Sequence, residues 1–392
     1  MPPGADYWLV NSYGYPSPFG SSKAVTAWNT FLSFTEFHSY DALKAMWNTG
    51  RDGRRIEPHT VESWKATFEE FGLLFVLSGS DHVVITPAGR QLVAAGSDGD
   101  RVQFGWVGLN ALLRYPLRGG RTPRSPAYEN SDLLLYWFFF AALRELGNHF
   151  WWSELERVLS TVFTRAAGRE AVELVKQLRA RTVDIDSLSL PVDRTAGAFY
   201  NSLNQVVVHA SLNHLLLGKA SDEAFYGDNP ERHQWILQEW LPVVDLALGG
   251  VGPDTECLER RTLLDRLPAA PEFGGDEPAY FEYLGAEVPP IPTGSDSATP
   301  LREIIFEGGA VAVLAEGDNY ESVDATRIRG SISSLCKLAS GQRIILSGDL
   351  LFTYIVEDKQ RVPGDAVEVT MRRARPITNP GPIQSLLGAI DE

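Results

Sequence analysis

The chain has 392 residues, 44% of them apolar, with ten tryptophans and a formal net charge of −15. That length suits two or three domains with sizeable cores, and a uniformly acidic surface would repel nucleic acid. The longest apolar run, Leu133 to Leu143, is only eleven residues; about 20 are needed to span a bilayer, so it predicts a buried helix and no membrane partner.

In chain order, residues 1–21 are rich in Gly, Pro, Ser and Tyr and predict an extended arm. MPPGADYW carries no charged segment leading into an apolar one, so no secretory signal is expected. Helical patterning begins near Ser22. A second helix fits Tyr40 to Trp47, ended by Asn48-Thr49-Gly50. A third follows Pro58, with Thr60 as its N-cap. Val61, Trp64, Phe68 and Phe71 share one face of it, and Gly72 ends it. Leu73 to Leu77 and His82 to Thr86 are strand-like around the turn Ser78 to Asp81. Thr86 then caps, and Pro87 opens, another helix. Three helices, a hairpin and a helix are the layout of a winged helix, placed at 22–130 together with a basic loop.

Residues 131–250 read as an all-helical domain. Ser153-Glu154-Leu155-Glu156 matches a capping box. Leu155, Val158, Leu159 and Val162 line one helix face, and Ala171, Leu174, Val175 and Leu178 another. Asn229-Pro230 predicts the opening of a later helix, and Gly249-Gly250 its end. An acidic, Pro-rich linker is expected at 251–301. Its stretch 267–301 holds seven prolines, six acidic residues and no basic one. Tyr280 to Leu284 is too aromatic for a spacer and predicts docking on a neighbouring domain. Residues 302–378 turn β-rich, with strands at Ile304–Phe306, Ala310–Ala315, Arg343–Leu346, Leu351–Val356 and Ala366–Met371. A helix is expected at Ser331–Leu338, and a tail at 379–392. The fold class is therefore multi-domain α+β: an N-terminal winged helix, a central all-α domain and a small C-terminal β-rich domain.

The stretch Tyr40 to Leu92 ends in Val83-Val84-Ile85-Thr86-Pro87-Ala88-Gly89-Arg90-Gln91-Leu92. This resembles the wing and following helix of winged-helix modules in restriction endonucleases and related bacterial anti-phage defence proteins. Their pattern is a hydrophobic strand, Thr-Pro-x-Gly, a basic residue, any residue and Leu. Leu112 to Leu117 is a similar-looking tail, and the resemblance covers about a quarter of the chain. It implies a DNA-associated, non-catalytic subunit of a bacterial restriction-type or antiviral defence complex, with partner protein subunits supplying the chemistry.

The charge distribution sharpens this. Basic and acidic residues balance at 12 each over residues 1–130, whereas 251–300 holds 3 against 10. Candidate phosphate contacts are Arg51, Arg54 and Arg55 before the third helix, Lys65 on it, and Arg114, Arg118, Arg121 and Arg124 in a loop. No acidic residue occurs from Val102 to Tyr128. Against DNA stands the expected outward face of the third helix: Glu62, Ser63, Lys65, Thr67, Glu69 and Glu70 set three carboxylates against one lysine. A protein-docking scaffold without a nucleic-acid role is the alternative.

Asn201, Gln205, His209 and Asn213 recur every four residues, with Asn204 and His214 nearby. They suit either a polar ligand or a buried hydrogen-bond network. His209 and His214 are five apart, the wrong spacing for paired zinc ligands on one helical face. Asp349, Glu357 and Lys359 form a degenerate PD-(D/E)xK-like set, the basis of a second alternative, a Mg²⁺-dependent nuclease. No phosphate-binding Gly-rich loop and no G-x-S-x-G elbow occurs. Cys257 and Cys336 sit in no ligand-like spacing. Together these readings predict a cytoplasmic protein with no cofactor, no metal and no catalytic residues of its own.

Overall fold

The computed structural model describes residues 7–10, 13–19, 21–36, 39–48, 58–76, 79–119, 128–191, 197–249, 263–291, 302–306, 309–335, 338, 341–362, 366–378, 380–381 and 383–384. It is a mixed α+β structure with three sheets, and no described helix is long and apolar enough to cross a membrane. The chain divides into two compact units. One comprises Met1–Ala142, Trp151–Ala220 and Leu267–Pro292, the other Leu143–Phe150, Ser221–Arg266 and Thr293–Glu392. These boundaries cut across those expected at 130, 250 and 301, because segments distant in sequence share each core.

The first unit begins with helices α1 (Ser22–Glu36), α2 (Tyr40–Asn48) and α3 (Pro58–Glu70). Pro58 is the first helical residue, so Thr60 lies inside α3 and is not its N-cap. Strands β1 (Leu74–Val76) and β2 (Val83–Ile85) pair antiparallel, Phe75 opposite Val84. Helix α4 (Pro87–Ser97) follows directly. Thr86 caps it, its hydroxyl accepting from Gly89 N at 3.0 Å and donating to Gly72 O at 2.6 Å. One threonine thus satisfies an orphan helix donor and ties the end of α3 to the start of α4. Helix α5 (Arg101–Leu113) is capped in the same way by Asp100.

Helix α6 (Leu135–Glu145) contains most of the long apolar run, and residues 135–143 are all buried. The capping-box expectation is half right in geometry. Helix α7 (Trp152–Arg157) starts one residue early, so Ser153 lies inside it, while the Glu154 carboxylate accepts from Trp151 N at 2.9 Å. Helices α8 (Arg165–Arg179) and α9 (Gly197–Ala210) complete the helical layer.

The stretch 131–250 is not all-helical. Strands β3 (His149–Trp151), β4 (Leu217–Glu223) and β5 (Glu231–Ile236) form a sheet in the order β3-β5-β4. Pro230 precedes a strand rather than opening a helix. The helix ending before Gly249 is α10 (Leu241–Ala247), with Pro242 in its first turn. Asn148, at φ +60°, brackets β5 with its side-chain amide, donating to Ile236 O at 2.9 Å and accepting from Ile236 N at 3.2 Å.

The expected linker is also structured where it is described. Helix α11 (Glu277–Leu284) is capped by Asp276, and residues 267–291 belong to the first unit. Phe281 stacks on Phe75 of β1 at 4.9 Å and 13°. Ala88 N donates to Gly285 O at 3.1 Å, Gln91 exchanges two 2.8 Å hydrogen bonds with the Val288 backbone, and Trp106 donates to Pro289 O at 2.7 Å. Gly72, at φ +67°, permits this approach: a Cβ there would stand 2.6 Å from the Leu284 backbone.

In the second unit, strands β6 (Arg302–Phe306), β7 (Gly309–Leu314), β8 (Glu321–Asp324), β9 (Arg327–Ser331), β10 (Arg343–Leu346), β11 (Asp349–Val362) and β12 (Ala366–Pro376) form one sheet, ordered β6-β7-β10-β11-β12-β9-β8. Only β7 and β10 run parallel among its described pairs. Alternation sends Ala312, Leu314, Ile344 and Leu346 to one core, with Ile328, Val367 and Val369, and sends Val311, Val313 and Ile345 to another beneath Ile383. The expected helix is the short α12 (Ile332–Leu335). Strands β8 and β9 escape a pattern search because every β8 side chain is exposed and, of β9, only Ile328 is buried.

Candidate functional site

The β1–β2 hairpin turns Leu74, Val76 and Val83 inward, leaves Phe75 and Val84, opposite each other in register, half-buried on its outer side, and ends at the half-buried Ile85. Between that side and α11 lies a cleft of about 650 Å³, walled by Phe75, Val84, Ile85, Pro278 and Phe281, with Arg90, Glu282 and Glu287 at its margin. A second hollow of about 420 Å³, reaching Thr35, His82 and Val93, shares Val84, Ile85 and Arg90 with it. Arg90 donates to Ile85 O at 2.6 Å, which folds its cationic head back onto the hairpin. The site is thus an apolar trough edged by two exposed carboxylates and one tethered guanidinium.

The cations expected to meet DNA are differently placed. Arg51, Arg54, Arg55, Arg121 and Arg124 lie outside the described residues. Lys65 is half-buried, 3.8 Å from Glu69 and 5.0 Å above the Tyr40 ring. Arg114 donates to the carbonyls of Ala286 and Glu287, clamping the segment after α11. Burial lowers its pKa, an effect the neighbouring Tyr283 partly offsets. Arg118 pairs with Glu272 at 2.8 Å. All three described cations have intramolecular partners.

The acidic face expected on α3 is also rearranged. Thr67, Glu69 and Glu70 are buried, not outward. Glu69 accepts from Val76 N at 2.9 Å, and Glu70 accepts from the Tyr115 hydroxyl. Glu62 stays exposed and pairs with Lys44 at 2.9 Å.

The polar stripe does not converge on one ligand. Asn201 and His214 are exposed, Asn204 and Gln205 half-buried, and His209 and Asn213 buried. Asn213 lies past the end of α9, within three consecutive left-handed residues, Leu212 to His214. What His209 and Asn213 hold is the arm, by donating to its backbone carbonyls. His209 Nε2 meets Tyr13 O at 2.5 Å, and Asn213 donates to Tyr15 O. Ser202, which the four-residue spacing misses, donates to Trp8 O at 2.9 Å and accepts from Val10 N at 3.2 Å. Tyr128 bridges Tyr7 O and Leu9 N. Trp8, fully buried, donates to Val162 O at 2.7 Å. Over its described residues the arm forms no helix or strand and is built into the first unit. Backbone outside helices and sheets makes no internal ladder, so its buried groups need other partners, and His209 and Asn213 of the stripe supply some of them beside Ser202 and Tyr128.

Asp349, Glu357 and Lys359 all lie on β11. At 3.3 Å per residue, eight residues of strand separate Asp349 from Glu357 by about 25 Å, whereas metal ligands must meet within ~2.5 Å of one ion. Asp349 accepts from Tyr354, and Glu357 pairs with Arg372 at 3.2 Å. Burial lowers Lys359 to about 8, but Asp349 and Glu357 stand too far apart along the strand to share an ion beside it. The nuclease-like set is set aside on this geometry. Among the described residues, no group of three or more His, Cys, Asp or Glu side chains could hold a metal ion.

Comparison with protein-family models and with curated proteins returns no match to this chain.

Proposed function

We propose that this chain is a non-catalytic interaction protein, with its N-terminal winged-helix-like module serving as a protein-docking platform. The observation that carries this reading is the condition of the module's outer surface. Lys65, Arg114 and Arg118 each have an acidic or carbonyl partner within the chain, while the open feature is an apolar trough beside the hairpin. Phosphate binding requires accessible cations; protein docking uses apolar depressions with polar margins. The likeness of Tyr40–Leu92 to modules of restriction and anti-phage defence proteins suggests the assembly in which such a platform would work.

One observation favours the DNA-associated reading as second choice. Burial of Glu69 and Glu70 removes two of the three carboxylates that would have opposed phosphates along α3. Arg51, Arg54 and Arg55 would then supply the contacts. Fluorescence anisotropy with a labelled duplex across a salt series separates the two. Docking predicts no salt-dependent binding. Binding that weakens steeply with salt, and drops in an Arg51/Arg54/Arg55→Ala variant, would overturn docking and make DNA association the working function.

A further inference from the structure

We infer that the trough beside the β1–β2 hairpin takes a basic, amphipathic segment of a partner protein. Its apolar side chains would lie on Phe75, Val84, Pro87 and Pro278, with its Lys or Arg side chains along the α11 wall. This deepens the docking reading above and rests on it.

The floor sets the first requirement. Phe75, Val84, Ile85, Pro87, Pro278 and Phe281 contribute to a cleft of about 650 Å³, and a hollow of about 420 Å³ borders β2 beside it. Val84, Ile85 and Arg90 border both, and an apolar depression of this size receives apolar side chains from one face of a helix or an extended segment. Burying apolar side chains there removes them from water, which favours binding.

The wall sets the second. From residue 267 to 291 the chain has no lysine or arginine, and Glu272, Asp276, Glu282 and Glu287 are exposed. Glu282 and Glu287 stand at the trough itself. Arg90, the one cation among its described lining residues, is held to Ile85 O at 2.6 Å. The margin is therefore net negative over an apolar floor. Nucleic acid or an acidic peptide would meet like charge, and a second copy of this chain would bring its own net charge of −15. Electrostatic complementarity selects a cationic partner and speeds its encounter.

The probe is a fluorescent amphipathic peptide of leucine and lysine, titrated into the full chain and followed by anisotropy. A leucine–glutamate counterpart is run alongside. The Glu282→Lys/Glu287→Lys variant alters exposed side chains only and so leaves the fold in place. Glu170→Lys, on the exposed side of α8, controls for general attraction to an acidic protein. The leucine–lysine peptide should bind, weaken roughly tenfold or more in the double variant, keep its affinity in the Glu170→Lys variant, and exceed its acidic counterpart. Absence of binding overturns the inference, as does equal weakening in the control variant or an unchanged affinity in the double variant. Failure here with no duplex binding removes only this site; steep salt-dependent duplex binding removes the docking reading itself.

Discussion

His209 stands between Tyr136 and the arm: its Nδ1 lies 2.9 Å from the Tyr136 hydroxyl and its Nε2 2.5 Å from Tyr13 O. A carbonyl can only accept, so Nε2 carries the hydrogen, and Nδ1 of the neutral ring accepts from Tyr136. His209→Leu would remove both hydrogen bonds from a buried position. The expected loss is about 2–4 kcal/mol, read as a lower urea midpoint by tryptophan fluorescence, with Trp8 among the reporters. An unchanged midpoint would show that the arm is not held through His209.

Glu154 is fully buried and takes two hydrogen bonds from Arg179, at 2.7 and 2.8 Å, besides that from Trp151 N. Glu154→Ala strands a largely buried guanidinium and should cost about 3–5 kcal/mol. A Glu154→Leu/Arg179→Met pair, which removes both charges, should recover most of that in the same denaturation experiment.

The junction from hairpin to α4 offers a third test. Thr86→Val removes the cap from Gly89 N and the bond to Gly72 O, and should cost about 1–2 kcal/mol. Gly89→Ala should cost more, because its Cβ would stand 2.0 Å from Leu73 O, a backbone atom that can move only with β1. If both variants melt at the wild-type temperature, the close approach described here is wrong.

Arg114 makes a prediction about order rather than function. Replacing it with Met removes the donors to Ala286 O and Glu287 O. Hydrogen exchange should accelerate over 277–289, with duplex affinity unchanged. An altered duplex affinity would return Arg114 to the list of phosphate contacts.

In the second unit, the Asp324 carboxylate is held at about 2, chiefly by Thr326 N, then by Arg327 and the Thr326 hydroxyl. A folded pKa below the unfolded value of about 3.9 stabilises the folded state above that value. That contribution should fade as pH falls from about 4 toward 2. Carboxyl NMR should find Asp324 still ionised at pH 3, and Asp324→Asn should flatten the acid limb of the unfolding curve. Titration at the ordinary aspartate value would overturn the assignment.

How much of this was legible in advance depended on the range of the forces involved. Helix α3, the hairpin and the Thr86-Pro87 start of α4 could be read because periodicity, capping and proline act within a few residues. The docking of Tyr280–Leu284 was likewise signalled by aromatics that a spacer does not need. Strands β8, at the sheet edge, and β9 beside it were missed because largely exposed strands lack the apolar alternation that marks a buried one. The stripe was read with the wrong spacing, since its partners are backbone groups of an arm nearly two hundred residues away.

Local sequence, then, determined the elements of the N-terminal module and the alternating strands near the C-terminus. Tertiary structure decided which polar groups remain available. It buried Glu69 and Glu70 against Val76 N and Tyr115, turned Arg114 into a clamp, and spread Asp349 and Glu357 along one strand. It also left Glu282 and Glu287 over an apolar trough. The reason is physical: a side chain's charge is fixed by its type, but whether that charge meets solvent, a carbonyl or a counter-ion depends on segments that meet only after the chain has folded.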